Sequence, residues 1–371
     1  MQRKKLIARI IAAAAFGAGL YFAYAHWIGP KGNSRESLLR TLPVDATAVI
    51  YVDIAELRQG PMLKNISVWS AGATIDPEYK QFVKETGFDY EKDLSRVGIA
   101  VESHGATRNY FALADGNFDR KKIEAYLRKN GNAEQKGTRE TFHLPAGKQG
   151  RTISVSFVSN ERVALTDGDD LSAEIEAGRR STGHAEWMER FERLAGTPMF
   201  ALVRQDTAIG SAFNEQAPGG LRSPQLAQLL NQLLWISIAG KPEGEEFRTV
   251  VEGECPNEAS MRQLADFLNG IALMAQAGLN DPKLRQQMDP ALREAYLQLL
   301  NSADVAKLDR GDSKSVRVVL VITPEIWAKL ASTQQFAEPA AQPEKKAPET
   351  AGKESSPKRK KTGTQVPAKH L

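Results

Sequence analysis

The chain has 371 residues, of which 42% are hydrophobic and 25% are charged. This length allows two domains, and the composition excludes a collagen, a wholly disordered chain and a multi-span membrane protein. The formal net charge of +4 belongs to the two ends, because residues 1–9 and residues 338–371 each carry +4 and the remainder carries −4. A mildly acidic middle argues against a surface for specific nucleic acid.

The N-terminal segment predicts attachment to a membrane. Ile10–Ile28 is a run of 19 residues without formal charge when His26 is neutral. A helix of that length spans about 28 Å, close to the hydrocarbon thickness of a bilayer. We expect a cytoplasmic basic stub at 1–9, a single-pass transmembrane helix (signal-anchor) at 10–28 and a linker at 29–41. Basic residues before the span then place the bulk of the chain outside the inner (cytoplasmic) membrane, in the periplasm or extracellularly.

A cleavable signal peptide is the alternative to an anchor. Ala23-Tyr24-Ala25 fits the small-x-small cleavage pattern, and the rest of the chain would then be secreted after cleavage at Ala25. A buried core helix is the third interpretation, and a long uncharged run at the extreme N-terminus is unusual for one. The first two interpretations both export the chain, which indicates a bacterial envelope protein.

The residues that follow predict an α+β unit over 42–195. Residues 47–54 are rich in β-branched side chains and predict a strand, while Asp76-Pro77 and Asp119 are helix-start signals. The later predicted elements of this unit are a hairpin of 96–101 and 110–114, a helix from Asp119 to Gly131, a hairpin of 152–158 and 162–166, and a helix from about Asp170.

A second α+β unit over 196–336 repeats this order. Its predicted elements are a strand at 197–204, a helix from Ser223-Pro224, a hairpin of 235–239 and 247–252, helices from about Asn257 and Asp289, and a strand at 315–322. The order of strand, polar loop, strand and helix occurs in both units and predicts an internal duplication. We therefore expect two similar units, each with a mostly antiparallel sheet and helices packed on one face.

The last part of the chain, 337–371, predicts a disordered basic tail. It is rich in Ala, Pro, Lys and Glu without periodicity, so it cannot bury enough apolar surface to fold. Lys358, Arg359, Lys360 and Lys361 form its one dense charge cluster. This cluster is either a contact for an anionic surface or a solvated flexible end.

One stretch of the first unit resembles a known family. LPVDATAVIYVDIAEL and the following DPEYKQFVKETGFDYEKDLSRVGIAV, at 42–101, are similar to uncharacterised bacterial proteins that carry a Leu-Pro-x-Asp strand just outside a single N-terminal span. They are classed as a domain of unknown function. The resemblance implies an envelope protein and supplies no functional residues.

The sequence contains several residues that suggest chemistry, and each has a simpler interpretation. Asp167-Gly168-Asp169-Asp170 lacks the spacing of a calcium loop and predicts a turn with a helix cap. His104, His143 and His184 lack metal-ligand spacing. Cys255 stands near Glu252, Glu254 and Glu258, which would raise its pKa, so we expect a structural thiol.

Two further motifs lack the structural surroundings that their chemistry requires. Ser355-Ser356-Pro357-Lys358 matches Ser-x-x-Lys inside the predicted tail. Pro218-Gly219-Gly220 lacks the Lys-Ser/Thr of a phosphate loop. We therefore assign no catalytic, cofactor-binding or metal-ligating residue.

Two hypotheses of function follow. The first is a non-enzymatic, membrane-tethered binding or adaptor module for a protein partner or an envelope component. The second is a tethered or secreted enzyme (hydrolase-like) or ligand carrier with a cleft between the two units, using Asp45, Asp53 or His104. Whether the protein is an enzyme stays open at this point, because many active sites assemble without a local motif.

Overall fold

The structure is a computed structural model that describes residues 34–60, 77–104, 107–137, 139–146, 151–168, 170–180, 184–205 and 224–334. The predicted span Ile10–Ile28 and the basic cluster Lys358–Lys361 lie outside the described residues. Within these residues, no helix has the length and apolar character needed to cross a membrane.

The strands in chain order are β1 (Ala48–Asp53), β2 (Leu94–His104), β3 (Thr107–Gly116), β4 (Asn132–Lys136), β5 (Arg139–Ala146), β6 (Arg151–Ser159), β7 (Arg162–Thr166), β8 (Met199–Arg204), β9 (Trp235–Glu243), β10 (Glu246–Cys255), β11 (Asp304–Asp309) and β12 (Lys314–Ile322).

The helices are α1 (Arg35–Arg40), α2 (Ile54–Gln59), α3 (Pro77–Thr86), α4 (Tyr90–Asp93), α5 (Arg120–Asn130), α6 (Leu171–Arg180), α7 (Ala185–Arg193), α8 (Pro224–Leu230), α9 (Glu258–Leu279), α10 (Pro282–Gln287), α11 (Pro290–Asn301) and α12 (Pro324–Gln334). Several begin at the residue that the sequence predicts. The side chains of Asp119 and Asp289, for example, accept hydrogen bonds from backbone N–H groups in the first turns of α5 and α11.

The twelve strands form one antiparallel sheet, in the order β11-β12-β10-β9-β8-β1-β2-β3-β7-β6-β5-β4. The α+β class is therefore confirmed, but the two predicted sheets are continuous. They join because β1 pairs with β8, with Ile50 opposite Ala201. On either side of this pair, the strand order outward is similar in the two halves. The internal duplication stays a prediction, because a shared strand order does not establish a shared origin.

Helices cover both faces of the sheet, so the prediction of one covered face was wrong. Along β7, Ala164 lies in a buried cluster with residues of α1, α6 and α7, whereas its neighbour Val163 lies in a cluster with residues of α5. Along β9, Trp235 belongs to the first cluster, and Ile236 packs against a third cluster that contains residues of α8 and α9. Successive side chains of a strand point to opposite faces, so each half buries both faces.

Residues 35–40, within the range predicted as a linker, form helix α1. Leu38 and Leu39 of this helix are 0% and 2% exposed. Leu38 packs onto Gly98 of β2, where a Cβ atom would lie 2.3 Å from the Leu38 side chain. The segment was hard to recognise because it contains a single apolar pair among charged residues.

A buried ion pair connects this helix to the first half of the sheet. Arg162 on β7 donates hydrogen bonds of 2.6 and 2.9 Å to Asp115 on β3, and both side chains are 4% exposed. Arg162 also donates to the hydroxyl of Ser37 on α1. The bidentate geometry and the third bond satisfy the guanidinium, as a charge at this depth requires.

Replacing Arg162 by Met should lower the free energy of unfolding by about 3–5 kcal/mol, because Asp115 would keep a buried charge without its main partner. The measurement is urea unfolding at pH 7. Arg262→Met is the matched control, since Arg262 forms an exposed helical pair with Glu258 that contributes about 0.5 kcal/mol or less. Equal losses for the two variants would contradict the structural role of the buried pair.

Candidate functional site

A cleft of about 490 Å³ lies over the second half of the sheet, within the range of roughly 300–1,000 Å³ typical of small-molecule sites. Its floor is one face of β9, β10 and β12, and helix α7 with the turn after it supplies a wall. We call it the arginine cleft. Its charged lining residues are Arg190, Arg193, Lys241, Glu243, Arg248, Glu252, Glu254, Arg310 and Arg317.

Side chains at every second position of two paired strands form the floor. On β9 these positions run from Trp235 to Glu243, and on β10 they run from Arg248 to Glu254. This alternation directs them all to one face. The apolar part of the lining comprises Leu194, Leu202, Trp235, Ala239 and Val250. The arginine cleft thus combines an apolar floor with a charged border.

Glu254 holds two arginines of α7 in place. Arg190 donates to both of its oxygens at 3.1 and 2.6 Å, and Arg193 donates to one of them at 2.9 Å. The Arg190 guanidinium also lies 4.1 Å from the ring centroid of Trp235, a cation–π distance. Arg193 is also paired with the exposed Glu189, so the charges of these two arginines are balanced by two carboxylates.

Glu252 organises a second cluster of the same kind. It accepts hydrogen bonds from Arg310 at 3.0 Å, from Arg317 at 2.9 Å and from the hydroxyl of Ser315 at 2.8 Å. Burial alone would raise the pKa of Glu252, but the hydrogen bonds from Arg310, Ser315 and Arg317 outweigh burial and lower this pKa to about 2. Glu252 is therefore ionised at neutral pH, and because it is shared between two guanidinium groups, this cluster carries an excess positive charge.

The outer end of the cleft brings two cations together. Lys241 on β9 and Arg248 on β10 are direct cross-strand partners. Arg248 has a loose ion pair of 3.7 Å with Glu243. The side chain of Lys241 makes no hydrogen bond or ion pair with any residue that the structure describes. Like charges directly opposite each other on paired strands are destabilising, so this end of the cleft favours an anion.

The residues suggested for an enzyme do not meet in this cleft. Asp45 lies exposed in the turn before β1. Asp53 caps α2 by accepting a hydrogen bond from the backbone of Glu56, and it also lies 3.6 Å from Arg96. His104 ends β2, opposite Thr107. Residues of both predicted units nevertheless line the cleft. Arg190 and Arg193 precede residue 196, where the second predicted unit begins, and most of the other lining residues follow it.

A Ser-His-Glu arrangement that the sequence does not reveal crosses strands β4, β5 and β6. His143 contacts the hydroxyl of Ser154 at 3.0 Å and the carboxylate of Glu134 at 3.2 Å. Ser154 is 3% exposed, so a substrate carbonyl cannot reach its hydroxyl. We interpret the arrangement as cross-strand hydrogen bonding. His184 lies elsewhere, bonded through Nε2 to the carbonyl of Gly178.

The calcium-loop candidate behaves as a turn and a helix cap. Asp167 accepts a hydrogen bond from the backbone of Tyr110, and Asp170 accepts one from the backbone of Ala173 in the first turn of α6. Among the residues that the structure describes, no group of three or more His, Cys, Asp or Glu side chains could hold a metal ion. Asp169 is not among them.

Cys255 is a buried thiol, 4% exposed, in the cluster with residues of α8 and α9. Burial raises the pKa of this thiol to about 11. The expected direction is thus confirmed, but the expected cause was wrong, because Glu254 and Glu252 point to the other face of the sheet. Ser355–Lys358 and Pro218-Gly219-Gly220 lie outside the residues that the structure describes.

The comparisons with known proteins give a distant likeness of fold. No protein-family model matches the chain, and no curated protein matches it, so the resemblance of residues 42–101 to a family stays a prediction. The fold distantly resembles TP0453, a membrane-associated protein of Treponema. In crystal form IV the TM-score is 0.43 at 11% identity, covering 80% of this chain and 96% of that one. In crystal form III the TM-score is 0.42 at 9% identity, covering 80% and 97%. Scores this low carry no argument about the function of this chain.

Replacing Glu252 by Gln should destabilise the protein at neutral pH and less so in acid. The folded state lowers the pKa of this carboxyl from 4.5 to about 2, so its contribution to stability is present above pH 4.5 and is lost as the pH falls towards 2. We expect a loss on the order of 2 kcal/mol at pH 7, shrinking at pH 3, by urea unfolding. Glu245→Gln, in the exposed β9–β10 turn, should show no such change. A loss that is equal at pH 7 and pH 3 would contradict the assignment.

Glu174 on α6 should show the opposite dependence on pH. Burial raises its pKa to about 7, and the nearby Glu102, Asp167 and Asp170 contribute in the same direction. One of its oxygens has no hydrogen-bond partner among the described residues. Because folding raises this pKa from 4.5, the folded state loses stability as the pH rises through 7.

Glu174→Gln should therefore stabilise the protein at pH 8 relative to wild type and change stability less at pH 5, measured by thermal unfolding in both buffers. Glu186→Gln, exposed on α7, is the control for loss of a carboxylate. If Glu174→Gln has the same effect at both pH values, the carboxyl is already ionised throughout this range.

Proposed function

We propose that this protein is a membrane-tethered binding module of the bacterial envelope, and that the arginine cleft is its binding site. The anchor at Ile10–Ile28, the position outside the inner membrane and the division into units at residue 196 are parts of this proposal that rest on the sequence. The observation that carries the proposal is the charged cleft itself.

The chemistry of the cleft supports binding more than catalysis. Arginine side chains do not release their proton in proteins, so Arg190, Arg193, Arg310 and Arg317 can hold an anion but cannot serve as acids or bases. Glu252, with its pKa lowered to about 2, is a weak base that is already engaged by several donors. A general base needs a pKa near the working pH.

The shape of the cleft supports a ligand of moderate size. Helix α7 forms one wall, and the paired strands β9 and β10 form the floor. These elements are fixed to each other by the bonds from Arg190 and Arg193 to Glu254. A site whose donors are already held in place loses little side-chain entropy on binding. The ligand-carrier form of the second hypothesis uses the same cleft.

The test is a crosslinked pull-down of the full tethered chain from detergent-solubilised membranes, comparing wild type with Ser237→Tyr. Ser237 lines the floor of the cleft, and it takes no part in the hydrogen bonds to Glu252 and Glu254. We expect the tyrosine to fill the cleft and reduce the captured component at least tenfold, read by mass spectrometry. Thr152→Tyr, exposed on β6 in the other half of the sheet, is the matched control.

Both variants should keep the wild-type melting temperature, which separates occlusion from misfolding. Undiminished capture by Ser237→Tyr would overturn the cleft as the binding site. Recovery of the chain from the soluble fraction, cut near Ala25, would overturn the tether and leave the binding site untouched.

A further inference from the structure

The nature of the ligand can be inferred from the balance of charge in the arginine cleft. The lining contains six basic residues and three acidic ones, a formal excess of three positive charges in a chain whose middle is net acidic. Glu252 and Glu254 each neutralise one of their two arginines, and the exposed Glu189 pairs with Arg193. The remaining positive charge faces the same cavity, so the cleft is complementary to a ligand with more than one negative charge.

The donors left over are suited to a tetrahedral anion. Arg317 uses Nε and one terminal nitrogen for Glu252. Its other terminal nitrogen has no partner among the described residues, and its side chain is 38% exposed. At the opposite end of the floor, Lys241 and Arg248 are direct cross-strand partners and place their donors side by side. A phosphate monoester carries about −1.5 to −2 charges at pH 7 and three strong acceptor oxygens, so it can bridge such donors, whereas a carboxylate offers one charge and two oxygens.

The cross-strand pair of Lys241 and Arg248 gives independent support. Two cations directly opposite each other on paired strands raise the energy of the empty sheet. An anion placed between them removes that repulsion and gains two charge-assisted hydrogen bonds.

The apolar floor predicts the rest of the ligand. Val250 and Ala239 lie at the middle of the floor, between the Lys241–Arg248 end and the Glu252 and Glu254 clusters. A cavity of about 490 Å³ exceeds what an inorganic ion fills, and burying apolar surface contributes roughly 25 cal/mol per Å². The ligand should therefore carry a compact apolar body as well as the anion.

We propose that the arginine cleft binds a phosphate monoester attached to an apolar body, with the phosphate held by Lys241 and Arg248 and the apolar body on Ala239 and Val250. This inference rests on the proposed function and specifies its ligand. The same chemistry occurs in a free organic phosphate and in the headgroup of a monoester lipid, so the experiment must separate these two sources.

The experiment is isothermal titration calorimetry on the full chain in detergent, with phenyl phosphate, inorganic phosphate, dihexanoyl phosphatidic acid and dihexanoyl phosphatidylcholine as separate probes. We expect saturable binding of a monoester at least tenfold tighter than that of inorganic phosphate, and weaker binding at higher ionic strength. Phenyl phosphate as the tightest probe indicates a free organic phosphate. Dihexanoyl phosphatidic acid as the tightest probe indicates a lipid headgroup.

The variant Lys241→Gln with Arg248→Gln should weaken monoester binding at least tenfold while keeping the melting temperature, since it leaves the bonds to Glu252 and Glu254 intact. Arg262→Gln, on the exposed side of α9, should bind as wild type does. Failure of both monoesters to bind, or equal binding of phosphatidylcholine, would overturn this inference. If capture in the pull-down still depends on Ser237 in that case, the proposed function stands with a different ligand.

Discussion

The antiparallel pairing of β1 with β8 is the contact on which the rest of the structure depends, because it makes one sheet of twelve strands from two halves. Tyr51 of β1 stacks on Phe200 of β8 with ring centroids 5.2 Å apart, and Arg35 of α1 lies over both rings. A long-range pairing of this kind carries a large loop-closure entropy, so the apolar residues around it must compensate by burial. Once the halves are joined, α7 lies beside the strands of the second half and the arginine cleft exists.

Buried carboxylates on one sheet face are compensated by arginines in both halves. Asp115 near the end of β3 is paired with Arg162, and Glu254 near the end of β10 is paired with Arg190 and Arg193. Removing such a carboxylate from water is expensive unless each lone pair finds a donor. In the first half of the sheet, the ion pair of Asp115 and Arg162 is buried and has a structural role. In the second half the arginines outnumber the carboxylates and line a cavity, so the same type of contact can serve binding.

Local signals in the sequence predict most single elements and little of the cleft. The strand at 47–54 and the helix after Asp119 are recognised because alternation and caps act over a few residues. The hairpin of strands β4 and β5 is not predicted from the sequence, because Asn132–Lys136 is polar and exposed throughout. The alternating Arg248, Glu252 and Glu254 are the one visible signal for the site, since charges on the inward face of a strand are unusual. Their partners Arg190 and Arg310 are distant in sequence, so no local pattern could connect them.

The two outermost strands determine how copies of this protein behave when they are crowded together. An open sheet ends in unpaired backbone N–H and C=O groups that can add a strand from a neighbouring molecule, which is a route to aggregation. At one end β4 carries Glu134 and Lys136 on a wholly exposed strand, and at the other β11 carries Asp304, Lys307 and Asp309. Charged side chains along an edge strand hinder the addition of a further strand from another molecule. In the part of the chain that the structure describes, a sheet that is open at both ends is thus protected against growing into a longer one.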